Sequence, residues 1–170
     1  MGYSLPMRRL VRIAAAGLVA LSLGACASKT DDGDGLLGAP GSRAGSATPG
    51  SAQDFAVNVG DRVFFETDSS ELTPTAVATL DKQVAWLGRY PRYAVTVEGH
   101  ADERGTREYN FALSARRADT VRSYLTAKGL PTSRMKTMSF GKERPVAVCD
   151  NISCWSQNRR AVTLLSGAGS

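Results

Sequence analysis

Apolar positions along this chain recur with two different periods, two and about 3.6 residues, the spacings that separate strands from helices. In "DRVFFETDSSEL" the short apolar run Val63–Phe65 reads as a first strand. In "ELTPTAVATLDKQVAWLGRYP", Val77, Leu80, Val84 and Leu87 fall at i, i+3, i+7 and i+10, one stripe of a helix. Thr73 suits its N-cap, Pro74 its first position, and Pro91 closes it. "RYAVTVEG" then alternates, with Tyr93, Val95 and Val97 facing one way and Ala94, Thr96 and Glu98 the other. A second helix is predicted from Arg107 to Lys128, stopped by Gly129. Strands are predicted around Lys136–Phe140 and over Arg159–Leu165. The order βαβαβ, with a further loop and strand, predicts an α/β sandwich with helices packed on a sheet. No internal repeat is visible.

The N-terminal part has a different pattern. Arg8, Arg9 and Arg12 precede an apolar run, Ile13 to Leu23, and small residues follow it up to Cys26. The run is shorter than the roughly 20 residues that span a bilayer, so it reads as a secretory signal. "LGAC", Leu23 to Cys26, resembles the lipobox of bacterial lipoproteins. That resemblance implies that Cys26 is acylated, palmitate included, and becomes the mature N-terminus. Ala27 follows in place of the aspartate that favours inner-membrane retention, which points to the outer membrane. From Ala27 to Gln53 the chain is rich in Gly, Ser, Ala, Pro, Thr and Asp and carries no apolar period, so it reads as a disordered tether. "DDGDG" within it lacks the downstream glutamate of a calcium loop. The expected organisation is a signal peptide over residues 1–25, a lipidated cysteine and linker over 26–53, and a folded domain over 54–170.

Charge and cysteine content narrow the function classes. The chain of 170 residues carries a net charge of +5. Three of its 21 basic residues lie in the signal segment and none of its 16 acidic ones, so the remainder stands at +2. That balance argues against a nucleic-acid surface. Cys149 and Cys154 in "CDNISCW" form a close even pair in an exported chain, which predicts a disulfide ahead of the last strand. Two cysteines without further ligands do not make a zinc site, and His100 is the only histidine, so no metal or cofactor is expected.

The chemistry concentrates in "EGHADERGTREYNFALSARRADTV", Glu98 to Val121. Leu113, Arg117, Val121 and Leu125 recur every four residues, which puts Arg117 on an apolar stripe where a guanidinium is costly unless paired. Asp102 lies in the loop after the second strand, the end of the sheet where open α/β folds place ligands. Two readings follow. Asp102 and Arg117 satisfy each other as a structural ion pair, or they clamp a zwitterion, Asp102 taking an ammonium and Arg117 a carboxylate in a forked pair. Among the neighbours, Gly99 and Gly105 read as turn residues, Glu103 and Arg104 as a mutual pair or a partner contact, and Tyr109 as core. Asn110 reads as a cap or loop brace, and Arg159 and Arg160 as flanking a strand or facing a partner. Catalysis would need a nucleophile with a base. His100 is close to Asp102 in sequence and Ser114 or Ser139 is available, but no nucleophile elbow is present, so no enzyme is expected.

"VEGHADERGTREYNFALSARRADTVRSYL", with "SFGKERP" and "NRRAV", resembles the signature of the OmpA-like peptidoglycan-binding domain, over about Asp61 to Leu165. With the lipobox and tether, the likeness extends to the lipid-anchored branch of that family. It implies helices on a mixed sheet and non-covalent binding of the meso-diaminopimelate residue of peptidoglycan stem peptides. Asp102 matches the family aspartate that receives the diaminopimelate ammonium, and Arg117 the arginine that pairs with its carboxylate. Asp68, Phe65, Asn110 and Leu113 match positions lining the same pocket. Thr67 departs from the pattern, standing where a second phenylalanine is common. The resemblance further implies an anchor on the periplasmic face of the outer membrane and partners in TolB and the other Tol proteins of cell division and envelope integrity. The alternatives are a wall-binding lipoprotein outside the Tol system and a cell-wall hydrolase.

Overall fold

The computed structural model describes residues 47–167. The expected signal segment, Cys26 and most of the expected linker lie outside the described residues. The elements are α1 (Ala52–Asp54), continuing as a π-helical turn (Phe55–Gly60), then β1 (Arg62–Phe64), α2 (Pro74–Arg89), β2 (Ala94–Gly99), α3 (Arg107–Ala127), β3 (Met135–Ser139), α4 (Ile152–Asn158) and β4 (Arg160–Ser166). The sheet order is β1-β4-β2-β3. β4 runs antiparallel to both neighbours, with Val63 opposite Ala161 and Val97 opposite Thr163, while β2 and β3 are parallel. The mixed sheet thus follows from α3 carrying the chain across to a parallel β3, and from β4 returning between β1 and β2.

Local chemistry sets the helix ends. Thr73 caps α2 by accepting from the Ala76 N–H, and Thr106 caps α3 by accepting from Tyr109. Gly129, at φ +101°, terminates α3 in the left-handed region. One face of the sheet is covered by α2 and α3. Val63, Val95, Val97 and Ala161 from the strands meet Leu80 and Leu87 of α2 and Val121 and Leu125 of α3. The alternation predicted for β2 holds, with Tyr93, Val95 and Val97 buried.

The stripe predicted for α2 is rotated. Leu80 and Leu87 are buried, but Gln83 and Trp86 turn inward while Val77 and Val84 are half-buried. The cause lies before β1. Residues 47–53, expected as the end of the linker, pack on the domain: Tyr93 donates its hydroxyl to the Gly50 carbonyl at 2.7 Å, and Ser51 caps α1. Asp54 accepts from the Trp86 indole at 2.9 Å, and Phe55 lies 5.0 Å from the same ring. Gln83 donates to the Gly60 carbonyl at 2.7 Å and accepts from Thr163 at 2.9 Å, so its buried amide is satisfied at both ends.

Gly99 is a packing residue as well as a strand end. A Cβ there would sit 1.8 Å from the Ser114 carbonyl oxygen of α3. Gly99→Ala must push α3 off the sheet, and the expected loss is about 1–3 kcal/mol. It is checked as a lower urea midpoint at unchanged slope.

Cys149 and Cys154 form a disulfide with a Cα–Cα distance of 5.7 Å. It ties the incoming loop to α4, which Asn151 caps by accepting from the Ser153 N–H. Among the described residues, no helix is long and apolar enough to cross a membrane.

Candidate binding site

The site lies at the C-terminal end of β2. The loop leaving the strand is held by the Ala101 N–H donating to the Gly141 carbonyl at 2.7 Å. Asn110, on the first turn of α3, donates its amide to the Arg104 carbonyl at 2.6 Å, the brace expected of it. Gly105, at φ +85°, makes the turn into α3 that this brace requires.

Arg117 projects from α3 into this loop and is fully buried. It donates through Nε to the Ser69 carbonyl at 2.8 Å, through Nη1 to His100 at 2.9 Å and through Nη2 to Glu66 at 3.1 Å. The face of its guanidinium lies 5.2 Å from the Phe65 ring centre. An arginine has five N–H donors, so about two remain free after these three bonds. Burial, reinforced by the charge of Arg159, lowers the Arg117 pKa to about 10, with Asp102 and Asp68 opposing. Arg117 therefore stays charged at neutral pH. No carboxylate among the described residues lies within ion-pair distance of it. It is a cation positioned by carbonyls and short of a counter-ion.

The first of the two sequence readings, a mutual Asp102–Arg117 pair, is not what forms. Asp102 is paired with Arg104 at 2.7 Å and with Arg159 at 3.3 Å. Burial opposes its ionisation most, yet the hydrogen bonds and charge of Arg104, with help from Arg159, hold its pKa below the ordinary carboxylate value. Arg159, expected to flank a strand, instead reaches inward: its Nε donates to the Phe65 carbonyl at 3.0 Å and its Nη1 to Asp102. Arg104, read as either pairing with Glu103 or meeting a partner, lies on Asp102. Glu103 accepts from the indole of Trp155. Tyr109, expected as core, is 45% exposed and donates its hydroxyl to Asp68. Asp68 itself holds the left-handed region at φ 56°, a conformation its short polar side chain tolerates.

These residues enclose a cavity of about 220 Å³ lined by Thr67, Asp68, Asp102, Arg104, Gly105, Tyr109, Asn110, Leu113 and Arg117. Five of the six residues expected at the pocket line it. The sixth, Phe65, lies one layer behind, as the floor under the Arg117 guanidinium. The cavity lining therefore combines N–H donors from a buried cation, the carboxylates of Asp68 and Asp102, the latter already held by Arg104, and an apolar contact at Leu113. It suits a ligand end that carries both charges.

The residues considered for a catalytic triad are not hydrogen-bonded to one another through His100. The His100 ring is 2% exposed and neither nitrogen has a hydrogen-bond partner among the described residues. Glu98 stands 3.5 Å from Nε2 without bonding it, and Phe140 stacks on the ring at 5.6 Å. Burial, with the charges of Arg160 and Arg144, lowers the His100 pKa to about 4. The hydroxyls of Ser114 and Ser139 lie 2.5 Å from each other, tying α3 to β3.

Residues 64–159 match the model of the OmpA family. The chain is 62% identical over 168 residues to a protein of Agrobacterium fabrum (strain C58) named peptidoglycan-associated lipoprotein, covering 96% of this chain and 94% of that one. A protein of the same name from Rhizobium meliloti (strain 1021) is 62% identical over 156 residues, 90% of this chain and 86% of that one. Among solved structures, the peptidoglycan-associated lipoprotein from Burkholderia pseudomallei superposes with a TM-score of 0.64 at 33% identity, over 68% of this chain and all of that one.

Proposed function

The chain belongs to the OmpA family, among relatives named peptidoglycan-associated lipoprotein, and from that premise we propose that it is a lipid-anchored protein that grips peptidoglycan through meso-diaminopimelate. The observation that carries this reading is Arg117, a fully buried guanidinium without a carboxylate partner beside a cavity with two aspartates. The free end of meso-diaminopimelate bears an ammonium and a carboxylate on one carbon. Its carboxylate fits the unspent N–H groups of Arg117 in a forked pair, and its ammonium fits Asp102, with Asp68 at the rim. Leu113 meets the methylene stem. Binding of this kind needs no turnover.

Acylation of Cys26 would place the anchor in the outer membrane, with the domain on its periplasmic side. On this reading the stretch from Ala27 to Ser46, ahead of the segment packed on the domain, would serve as a tether of about 22–27 Å, keeping many copies near the wall at high local concentration. Partnership with TolB and the other Tol proteins, in cell division and envelope integrity, belongs to the same reading. Co-purification with TolB tests it against a wall-binding lipoprotein outside the Tol system.

The test of the ligand is calorimetric titration of the purified chain with two stem peptides, one carrying meso-diaminopimelate at the third position and the other lysine. Lysine lacks the carboxylate that Arg117 would pair with, so the first peptide is expected to bind and the second to bind at least tenfold more weakly. Equal binding would remove Arg117 from recognition. No binding of either would turn Asp102 and Arg117 into structural groups. Release of soluble muropeptides from sacculi would instead favour a hydrolase.

A further inference from the structure

Asp102 is not vacant. Both of its oxygens are occupied by Arg104, which donates from Nε to Oδ1 at 3.1 Å and from Nη2 to Oδ2 at 2.7 Å, while the Arg104 backbone N–H reaches Oδ1 at 3.2 Å. Arg159 also reaches Oδ2, from the interior. The two arginines differ in kind. The Arg159 side chain is 6% exposed and anchored to the Phe65 carbonyl, so it is part of the wall. The Arg104 side chain is 40% exposed and touches Asp102 from the solvent side. Its guanidinium lies 4.3 Å from the Trp155 ring, and that ring is held in turn by Glu103.

An ammonium arriving from the cavity needs the same carboxylate oxygens. Asp102 is 7% exposed, so what it could offer a ligand lies under Arg104. On the reading that this pocket takes the zwitterionic end of meso-diaminopimelate, we infer that Arg104 is an intramolecular stand-in for the ligand ammonium and must lift off Asp102 for the ligand to seat. The exchange conserves charge at the carboxylate: one cation leaves as another arrives, and Arg159 remains. Trp155 gives the displaced guanidinium a surface to slide along, because a cation is attracted to a ring face wherever it lies over it. Arg104 is thereby a specificity-determining residue. A ligand end without an ammonium cannot replace it and gains nothing from Asp102.

A seated competitor lowers apparent affinity by the fraction of time that the carboxylate is free. A partly exposed, bidentate pair is worth about a fivefold bias towards the closed arrangement. The test is calorimetric titration of the whole chain, of Arg104→Ala and of Arg104→Gln, with two stem peptides. One carries meso-diaminopimelate with its distal amine free, the other the same residue with that amine acetylated. Circular dichroism confirms that each variant is folded, and the glutamine variant keeps the side-chain bulk. Both variants are expected to bind the free-amine peptide about fivefold more tightly than the parent chain and the acetylated peptide with unchanged affinity. If the parent chain binds the free-amine peptide and the variants bind it equally or more weakly, the stand-in role is overturned while the assignment of the pocket stands. If no chain binds the free-amine peptide, the assignment of the pocket fails and the stand-in role fails with it.

Discussion

Arg117→Lys is expected to weaken binding of the diaminopimelate peptide by roughly 30-fold to several thousand-fold, a loss of about 2–5 kcal/mol. The reasoning rests on geometry. A carboxylate binds an arginine through two parallel N–H bonds, and Arg117 is oriented for that by three carbonyls that fix its plane. A lysine ammonium is a compact charge without a plane. It cannot reach the Ser69, His100 and Glu66 carbonyls together and also present a fork to the cavity. The substitution also has a fold cost, because each buried carbonyl left without a donor costs about 1–3 kcal/mol. The two effects are separable. Stability is read from the urea midpoint, and affinity is measured on the folded protein far below that midpoint. A folded Arg117→Lys variant with undiminished affinity would place the ligand carboxylate elsewhere.

The same arginine shows what the sequence could and could not reveal. A lone guanidinium on the Leu113–Val121–Leu125 stripe singles out Arg117 as a charge that needs a partner, but the spacing leaves both an ion pair and a ligand clamp open, and only the family resemblance chooses the clamp. β2 was readable from strict alternation and the start of α2 from Thr73 and Pro74, since each signal is local. Arg159 was not readable. Its contact with Asp102 spans 57 positions of sequence and exists only because β4 returns between β1 and β2, a register that no local pattern encodes. α4 was missed for a related reason: of its seven residues only Cys154 and Asn158 are buried, too few to show a helical period. The segment before β1 was missed because its composition is that of a tether. Its order comes from contacts that Trp86, Tyr93 and Gln83 make with it, and those residues gave no sign in sequence that they lacked partners. Asp102 was marked, but not its partners, because an aspartate in a charged loop has several arginines in reach and only the backbone path decides among them.

Acid is expected to destabilise the domain by about 3 kcal/mol between pH 6.5 and 4, through His100. Its folded pKa is about 4, lowered by burial and by the charges of Arg160 and Arg144, against an ordinary value of 6.5. Above pH 6.5 the ring is neutral in both states and full stability is present. As pH falls from 6.5 towards 4 the unfolded chain takes up a proton that the folded chain refuses, so stability is lost across that window and levels off below it. Among the described residues Glu98, 3.5 Å from Nε2, is the one acidic side chain within ion-pair distance of the ring and does not offset the two arginines. Asp102 extends the loss at lower pH, since its pKa is also depressed and its contribution disappears as pH falls through that lowered value. Urea midpoints between pH 8 and 4 measure the effect, and His100→Phe, which keeps a ring against Phe140 but cannot titrate, should flatten the curve between pH 6.5 and 4. An equal slope in parent and variant would show that other groups carry the acid sensitivity. Binding by the folded chain should hold across the same window, because its ring stays neutral there, and should weaken only around pH 4, where a proton on the ring disturbs the His100 carbonyl that helps to hold Arg117.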